Sequence, residues 1–284
     1  MYSTGVAEQI VGKAIADKRD DVLISTKVRM VRGDGPNDAG LSGTTYLAGG
    51  GQPAPARHRH IDLYHVHEWD GQTPLEETLE ALDTLVRSAR SATWGVQLRG
   101  LAVLKALGLA DRLGYQRFVA NQIYYSLESR DAEYELIPAS IDRAWACWCG
   151  ARWPAGCCRQ VPARPAGRRR QAPGGGLERA TGARCREALR HHRGSGGHRL
   201  LAQGVPGADL AGLPAAQAGV TSLVIGARKD EQLRDNLGAT EVRLSDDEFR
   251  KLDEISKPYL IYPHWHQELS ASERFGVPDR ALHG

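Results

Sequence analysis

The chain has 284 residues, 25% of them charged, and a formal net charge of +3 at pH 7. That length can hold one large domain, as an α/β barrel does. The near-balanced charge is no nucleic-acid footprint, and no apolar run reaches the ~18–20 residues of a membrane span. The N-terminus, Met1-Tyr2-Ser3-Thr4-Gly5, lacks the charged region and apolar stretch of a secretory signal, which points to a cytoplasmic protein.

Val6, Ile10, Val11, Ala14 and Ile15 follow helical spacing and predict a helix over 5–17. Val22 to Val28 reads as a buried strand with Lys27 near its C-terminal end, followed by a Gly/Asp/Pro-rich loop over 31–43. Residues 43–58 show no periodicity and read as linker. Ile61-Asp62-Leu63-Tyr64-His65-Val66-His67 is an apolar-rich strand that runs into Trp69 and Asp70. Thr73 as N-cap, Pro74 at N1 and Glu76 at N3 predict a capped helix, with Leu75, Leu79, Leu82, Leu85 and Val86 as its apolar stripe. Residues 101–113 read as helix, Phe118–Tyr125 as strand ending near Gln122, and Glu133–Leu136 as the start of another helix.

From Arg143 to about Val220 there is no isoleucine and no lysine, and all five cysteines (Cys147, Cys149, Cys157, Cys158 and Cys185) fall there. Their C-x-C and C-C spacings are not those of a zinc site, and an odd count without a signal peptide argues against a disulfide scaffold, so no structural metal is expected. Order resumes with a strand at 221–225, then Gly226-Ala227-Arg228 and a short helix over 230–237 whose N-terminus suits a phosphate. Ser245-Asp246-Asp247-Glu248 is a second capping box, with Leu244 and Phe249 as a hydrophobic staple. The last stretch, about 260–284 and including Trp265, reads as a tail. Strands alternating with helices make the class α/β.

Five motifs in order resemble the aldo-keto reductase superfamily, with its general-stress and potassium-channel β-subunit branch nearest in pattern. They are Tyr2-Ser3-Thr4-Gly5 with Glu8, Ser25–Val28, Asp62–His67, Asn121–Ser126, and Ile225–Arg228 through Gln232 to Leu237. The resemblance implies a (β/α)8 barrel, here incomplete, with its first strands missing and the segment about 143–220 irregular. It implies one domain over 1–284. It also implies NADPH-dependent reduction of aldehydes or ketones, a small-molecule carbonyl substrate, and no nucleic-acid or membrane partner.

By the same resemblance Tyr2 is the proton donor, Lys27 lowers the tyrosine's pKa, and His67 orients the carbonyl. Trp69 is placed at the substrate. Gln122 holds the nicotinamide carboxamide; Gly226, Arg228, Gln232, Asp235 and Asn236 form the clasp on the adenosine 2′-phosphate and adenine. An aspartate expected before Tyr2 precedes the first residue of the chain, and the Ser-Asn pair expected near residue 97 is missing from a stretch that reads Trp94-Gly95-Val96-Gln97-Leu98. The alternatives are a non-catalytic NADP-binding regulatory module and an inactive remnant of such a reductase.

The stretches that break the pattern read as translation in a shifted frame. Moved by one base, codons for Ala144–Cys158 can spell Gly-Leu-Gly-Val-Leu-Val-Trp-Ser-Pro-Leu-Ala-Gly-Gly-Leu-Leu, a buried strand and a turn. Leu47–Arg59 can give an amphipathic helix leading into Ile61, and Gly95–Arg99 can give Ala-Ser-Asn-Phe. On this reading the cysteines are misread leucine and valine codons, and the strand expected at 145–150 is replaced by Trp-Ala-Cys-Trp-Cys. The chain as written is then expected to be a weaker enzyme than a frame-restored, full-length version.

Overall fold

The computed structural model describes residues 6–31, 33–35, 37–47, 60–98, 100–126, 129–150, 218–241 and 245–283. Met1–Gln122 and Ile123–Gly284 form two units.

The first unit alternates helix and strand: α1 (Val6–Ala14), β1 (Ser25–Val28), α2 (Gly43–Leu47), β2 (Ile61–Val66), α3 (Leu75–Arg87), β3 (Ser91–Val96) and α4 (Gly100–Leu113), leading into β4 (Ala120–Ile123). Each of β1 to β4 runs parallel to the next in sequence, with Lys27 beside His65, His65 beside Gly95 and Gly95 beside Ala120. In β2 every residue but Asp62 is buried, as a parallel strand covered on both faces requires. Asp62 is retained because it accepts from Arg19 Nη2 at 2.7 Å and from the Ile24 N–H at 2.8 Å, which fixes the start of β1 against β2.

The stripe of α3 buries Leu75, Leu79, Leu82 and Leu85, each contributing roughly 1.5–3 kcal/mol. Its N-terminus departs from the expected capping box. The helix starts at Leu75 with Pro74 as N-cap and no side-chain cap. The Thr73 hydroxyl donates to Asp70 Oδ2 at 2.7 Å instead, and Asp70 also accepts the N–H groups of Leu41, Gln72 and Thr73. A carboxylate is the stronger acceptor for that hydroxyl, and these bonds outweigh partial burial to hold Asp70 below the usual carboxylate range.

The expected linker at 43–58 is helical at Gly43–Leu47, because Ser42 Oγ accepts the Thr45 N–H at 3.3 Å and caps the turn. Residues 48–59 lie outside the described residues. From α2, Tyr46 stands edge-on to Tyr64 with centroids 6.0 Å apart, its hydroxyl buried and without a hydrogen-bond partner among the described residues. Tyr46→Phe is therefore expected to raise stability by about 1 kcal/mol. Urea unfolding checks this; a loss of similar size would mean the hydroxyl is satisfied.

In the second unit, Ile123, Tyr125, Ala132, Ile137, Cys147 and Cys149 form a core flanked by Leu136, Ile141, Val220 and Leu223. Around it lie α5 (Leu136–Arg143), β5 (Ala146–Gly150), β6 (Ser222–Val224), α6 (Asp230–Gly238), α7 (Asp246–Ser256), α8 (His264–Ala271) and α9 (Arg280–His283). The strand expected to be lost at 145–150 is present: β5 pairs parallel with β6, Trp148 beside Ser222 and Cys149 beside Leu223. Cys147 and Cys149 alternate inward and are buried as small hydrophobes. Cys157, Cys158 and Cys185 lie outside the described residues.

Nor are residues 260–284 a plain tail. They hold α8 and α9, where Leu282 is buried and Tyr134 stacks on His264 at 5.3 Å. Ser245 precedes α7 and its carbonyl accepts the Phe249 N–H at 2.9 Å. Leu244 and the side chain of Glu248 lie outside the described residues, and with them the expected staple and box.

Candidate active site

The C-terminal ends of β1 to β4 carry the candidate residues of the first unit. Neighbours in a parallel ladder share a face, and successive residues alternate. One face meets helices: Thr26 donates to Glu8 of α1 at 3.0 Å, and Tyr64 packs on Tyr46. The other face holds the row Lys27, His65, Gly95 and Ala120. The ladder continues past the strands, with the His67 N–H on Val28 O at 3.2 Å and the Gln97 N–H on Val66 O at 2.9 Å. Alternation then sets His67, Gln97 and Gln122 in a second row on that face, one step nearer the strand ends.

His65 is fully buried, and its ring lies across Gly95. A Cβ at Gly95 would meet His65 Nε2 at 2.9 Å and the Ala120 carbonyl at 3.1 Å, so no larger residue fits there. Burial first, then the charges of Lys27 and His67, push the His65 imidazole down to about 3. Half-buried His67 is lowered by burial and by Lys27, with Glu68 opposing and Arg29 adding to the fall. Burial is thus the main cause that keeps two adjacent imidazoles neutral, and the Lys27 charge adds to it in both.

His65 has an ordinary value of 6.5 and a lower one in the fold. Its contribution is complete above pH 6.5 and declines as pH falls toward 3, by about 1.4 kcal/mol per pH unit. His65→Gln is expected to remove one proton's worth of slope from stability between about pH 5 and 6.5. Urea unfolding at three pH values checks it, and an unchanged slope would place His65 in a solvated setting.

Two non-glycine residues at these strand ends adopt left-handed backbone: Arg29 at φ 102° and Glu68 at φ 69°, joined by an ion pair of 3.2 Å. Such conformations are held by their surroundings and cluster at functional sites. Beside them Trp69 is half-buried, its Nε1 donating to the Thr73 carbonyl at 2.8 Å. Tyr2 lies outside the described residues.

The second unit holds the other candidates. After β6, the Arg228 N–H donates to Gln232 Oε1 at 3.0 Å, and Asn236 Nδ2 donates to the Gly226 carbonyl at 3.3 Å. Side chains of α6 therefore fold the 226–228 loop over the helix start, leaving Arg228 exposed. Asp230 and Glu231 occupy the first turn and already complement the helix dipole, so anion attraction rests on the Arg228 guanidinium. The side chain of Asp235 lies outside the described residues.

His65 and Gln97 are absent from the sequence-based candidates. Two-residue alternation back from His67 identifies the face of His65; Gln97 lies in the stretch where the resemblance leads one to expect a Ser-Asn pair. Among the described residues, no group of three or more His, Cys, Asp or Glu is placed to hold a metal, and no helix is long and apolar enough to cross a membrane.

A model of the aldo/keto reductase family matches residues 1–142, the stretch that carries the β1–β4 face. The chain belongs to the aldo/keto reductase family. Its consecutive parallel strands, each followed by a helix, are those of an incomplete (β/α)8 barrel of that family. A protein of Arabidopsis thaliana named probable voltage-gated potassium channel subunit beta is 32% identical over 145 residues, 49% of this chain and 44% of that protein. Versiconal hemiacetal acetate reductase of Aspergillus parasiticus is 26% identical over 294 residues, 93% of this chain and 82% of its own. An uncharacterized oxidoreductase of Bacillus subtilis is 30% identical, covering 89% of this chain and 78% of its own. The matches thus range from less than half of a relative's length to most of it.

Proposed function

We propose that this aldo/keto reductase is an NADPH-dependent oxidoreductase reducing small aldehydes or ketones to alcohols in the cytoplasm. The observation that carries the reading is the β1–β4 face, where Lys27, His67 and Gln122 stand together at the C-terminal strand ends. That is where barrels of this kind place their chemistry. NADPH, when bound, supplies a hydride.

The chain's own residues account for the rest. Gln122 offers a primary amide, a donor and acceptor matched to a carboxamide. His67, neutral near pH 7, donates one hydrogen bond to the substrate carbonyl and turns it toward the strand ends. Lys27 already depresses the proton affinity of His65 and His67; in the role the family resemblance gives Tyr2, the same charge makes its phenol a better acid for the nascent alkoxide. Trp69, tethered through its indole N–H, walls the substrate side.

By the family resemblance Gly226, Arg228, Gln232, Asp235 and Asn236 form the clasp on the adenosine 2′-phosphate and adenine, with Arg228 the member that meets the phosphate. A guanidinium–phosphate contact is worth about 1.5–3 kcal/mol. Arg228→Ala is expected to weaken NADPH about tenfold or more and NADH little. Equal loss for both would sink the assignment.

Steady-state oxidation of NADPH with a nitrobenzaldehyde tests the reading as a whole. The relative named as a channel subunit favours a second one, an NADP-binding regulatory module, which would bind NADPH without turnover.

A further inference from the structure

A charged pair stands beside His67 at the strand ends. Arg29 follows Val28, whose carbonyl accepts the His67 N–H at 3.2 Å, and Glu68 follows His67 itself. Both charges reach the imidazole: beyond burial and Lys27, Glu68 opposes its lowering and Arg29 adds to it. The pair is a loose one. Arg29 Nη1 lies 3.2 Å from Glu68 Oε2, with the Glu68 side chain 58% exposed and that of Arg29 27%. Water competes well for such a carboxylate, so the contact adds little to stability. Yet both residues hold left-handed backbone, the first fixed by the Gly40 N–H on Arg29 O at 2.9 Å. A weak ion pair is a poor reason to keep two strained residues; recognition of a ligand is a better one.

We infer that Arg29 is a specificity-determining residue whose guanidinium receives the carboxylate of an anionic aldehyde, with Glu68 the resident anion that the substrate competes with. The inference deepens the reductase reading and rests on it, since it takes the aldehyde carbonyl to lie at His67. A guanidinium presents paired N–H groups in one plane, the match for a carboxylate. Nη1 meets Glu68 and, at 3.8 Å, Met30 Sδ. Nε and Nη2 have no hydrogen-bond partner among the described residues, so one bidentate edge of the fork is open to a substrate. The Lys27 charge adds to the attraction for an anion. A neutral aldehyde gains neither contact. The substrate class is therefore an aldehyde that carries a carboxylate away from its carbonyl.

The test compares 4-carboxybenzaldehyde with 4-nitrobenzaldehyde in NADPH oxidation by the full chain. Carboxylate and nitro groups share shape and size and differ in charge, so a change in the ratio of their kcat/KM values between variants reads the charge. Arg29→Gly removes the guanidinium and relieves the left-handed backbone. It is expected to lower the carboxy-to-nitro ratio about tenfold, through KM. Glu68→Gln is expected to raise the ratio several-fold, because the competitor loses its charge. Calorimetry in the presence of NADP+ gives a reading without turnover. There 4-(hydroxymethyl)benzoate is expected to bind about tenfold more tightly than its neutral amide, and Arg29→Gly to erase the difference.

A ratio unmoved by Arg29→Gly, or not raised by Glu68→Gln, would overturn the inference and leave the reductase reading standing. If Arg29→Gly loses its far-UV circular dichroism, Glu68→Gln and calorimetry on the unaltered chain decide. Absence of turnover with either aldehyde would bring down the reductase reading. The comparison of acid with amide then still judges Arg29, and no preference for the acid would remove it as an anion site.

Discussion

Arg130→Met is expected to cost about 3–5 kcal/mol of stability, the penalty for stripping a partner from a buried charge. Arg130 is 3% exposed and Glu133 0%. The guanidinium forks onto Glu133, Nε to Oε1 at 2.7 Å and Nη2 to Oε2 at 2.9 Å. It also reaches Ser256 Oγ at 2.8 Å and Asp253 Oδ1 at 2.6 Å in α7, while the Tyr125 hydroxyl donates to Glu133. Burial holds the Glu133 carboxyl above its usual range even against Arg130 and Tyr125, so without the arginine it has no counter-charge of comparable strength. The double change Arg130→Met with Glu133→Leu is expected to recover much of the loss, since a buried pair removed whole is often near neutral. Thermal melts of both variants check the ordering. A double variant as unstable as the sum of its parts would show that the two residues act independently.

Lys27→Met is expected to lower kcat of NADPH-dependent aldehyde reduction by about a hundredfold or more, with NADPH affinity little changed. The same substitution should raise the pKa of both His65 and His67, because the lysine charge depresses each. Nitrogen–proton correlation spectra across pH read the imidazoles independently of turnover. Lost activity with unmoved imidazoles would place the lysine charge away from the row and refute the electrostatic role given to it.

The sequence was informative where one physical cause dominated. Apolar runs fixed β2 and its neighbours, and the alternating βα order followed. It was misleading where two local partners competed. Thr73 has the makings of an N-cap, yet Asp70 takes its hydroxyl, and only the approach of Leu41 shows why that aspartate is held in place. At 145–150 the unusual composition suggested a lost strand. Alternation of Cys147 and Cys149 was present all along, and cysteine buries as readily as valine. The 260–284 stretch read as tail because its helices are short and rich in polar residues, and the partners of Tyr134 and Leu282 are remote in sequence. Arg130 and Glu133 stand three apart, a spacing common on solvated helices; burial alone distinguishes them. In the candidate site, His67 and Gln122 could be picked out through family motifs. His65 emerges only once the strands are in register.

The pairing of β5 with β6 sets an order of events in folding. The Cys147 N–H meets Thr221 Oγ1 across 74 positions of chain, whereas Ile24 meets Asp62 across 38. Each doubling of a loop adds about 0.6 kcal/mol to the entropy of closing it, so the β1–β2 register closes at lower entropic cost. During synthesis, with the N-terminal end emerging first, the β6 edge of β5 must wait until residue 222 has appeared. For that interval the core around its two thiols lacks Val220 and Leu223, so oxidants meet them less well covered than in the finished fold. The finished strand protects its sulfurs, and the period of chemical risk is set by the length of chain between its two halves.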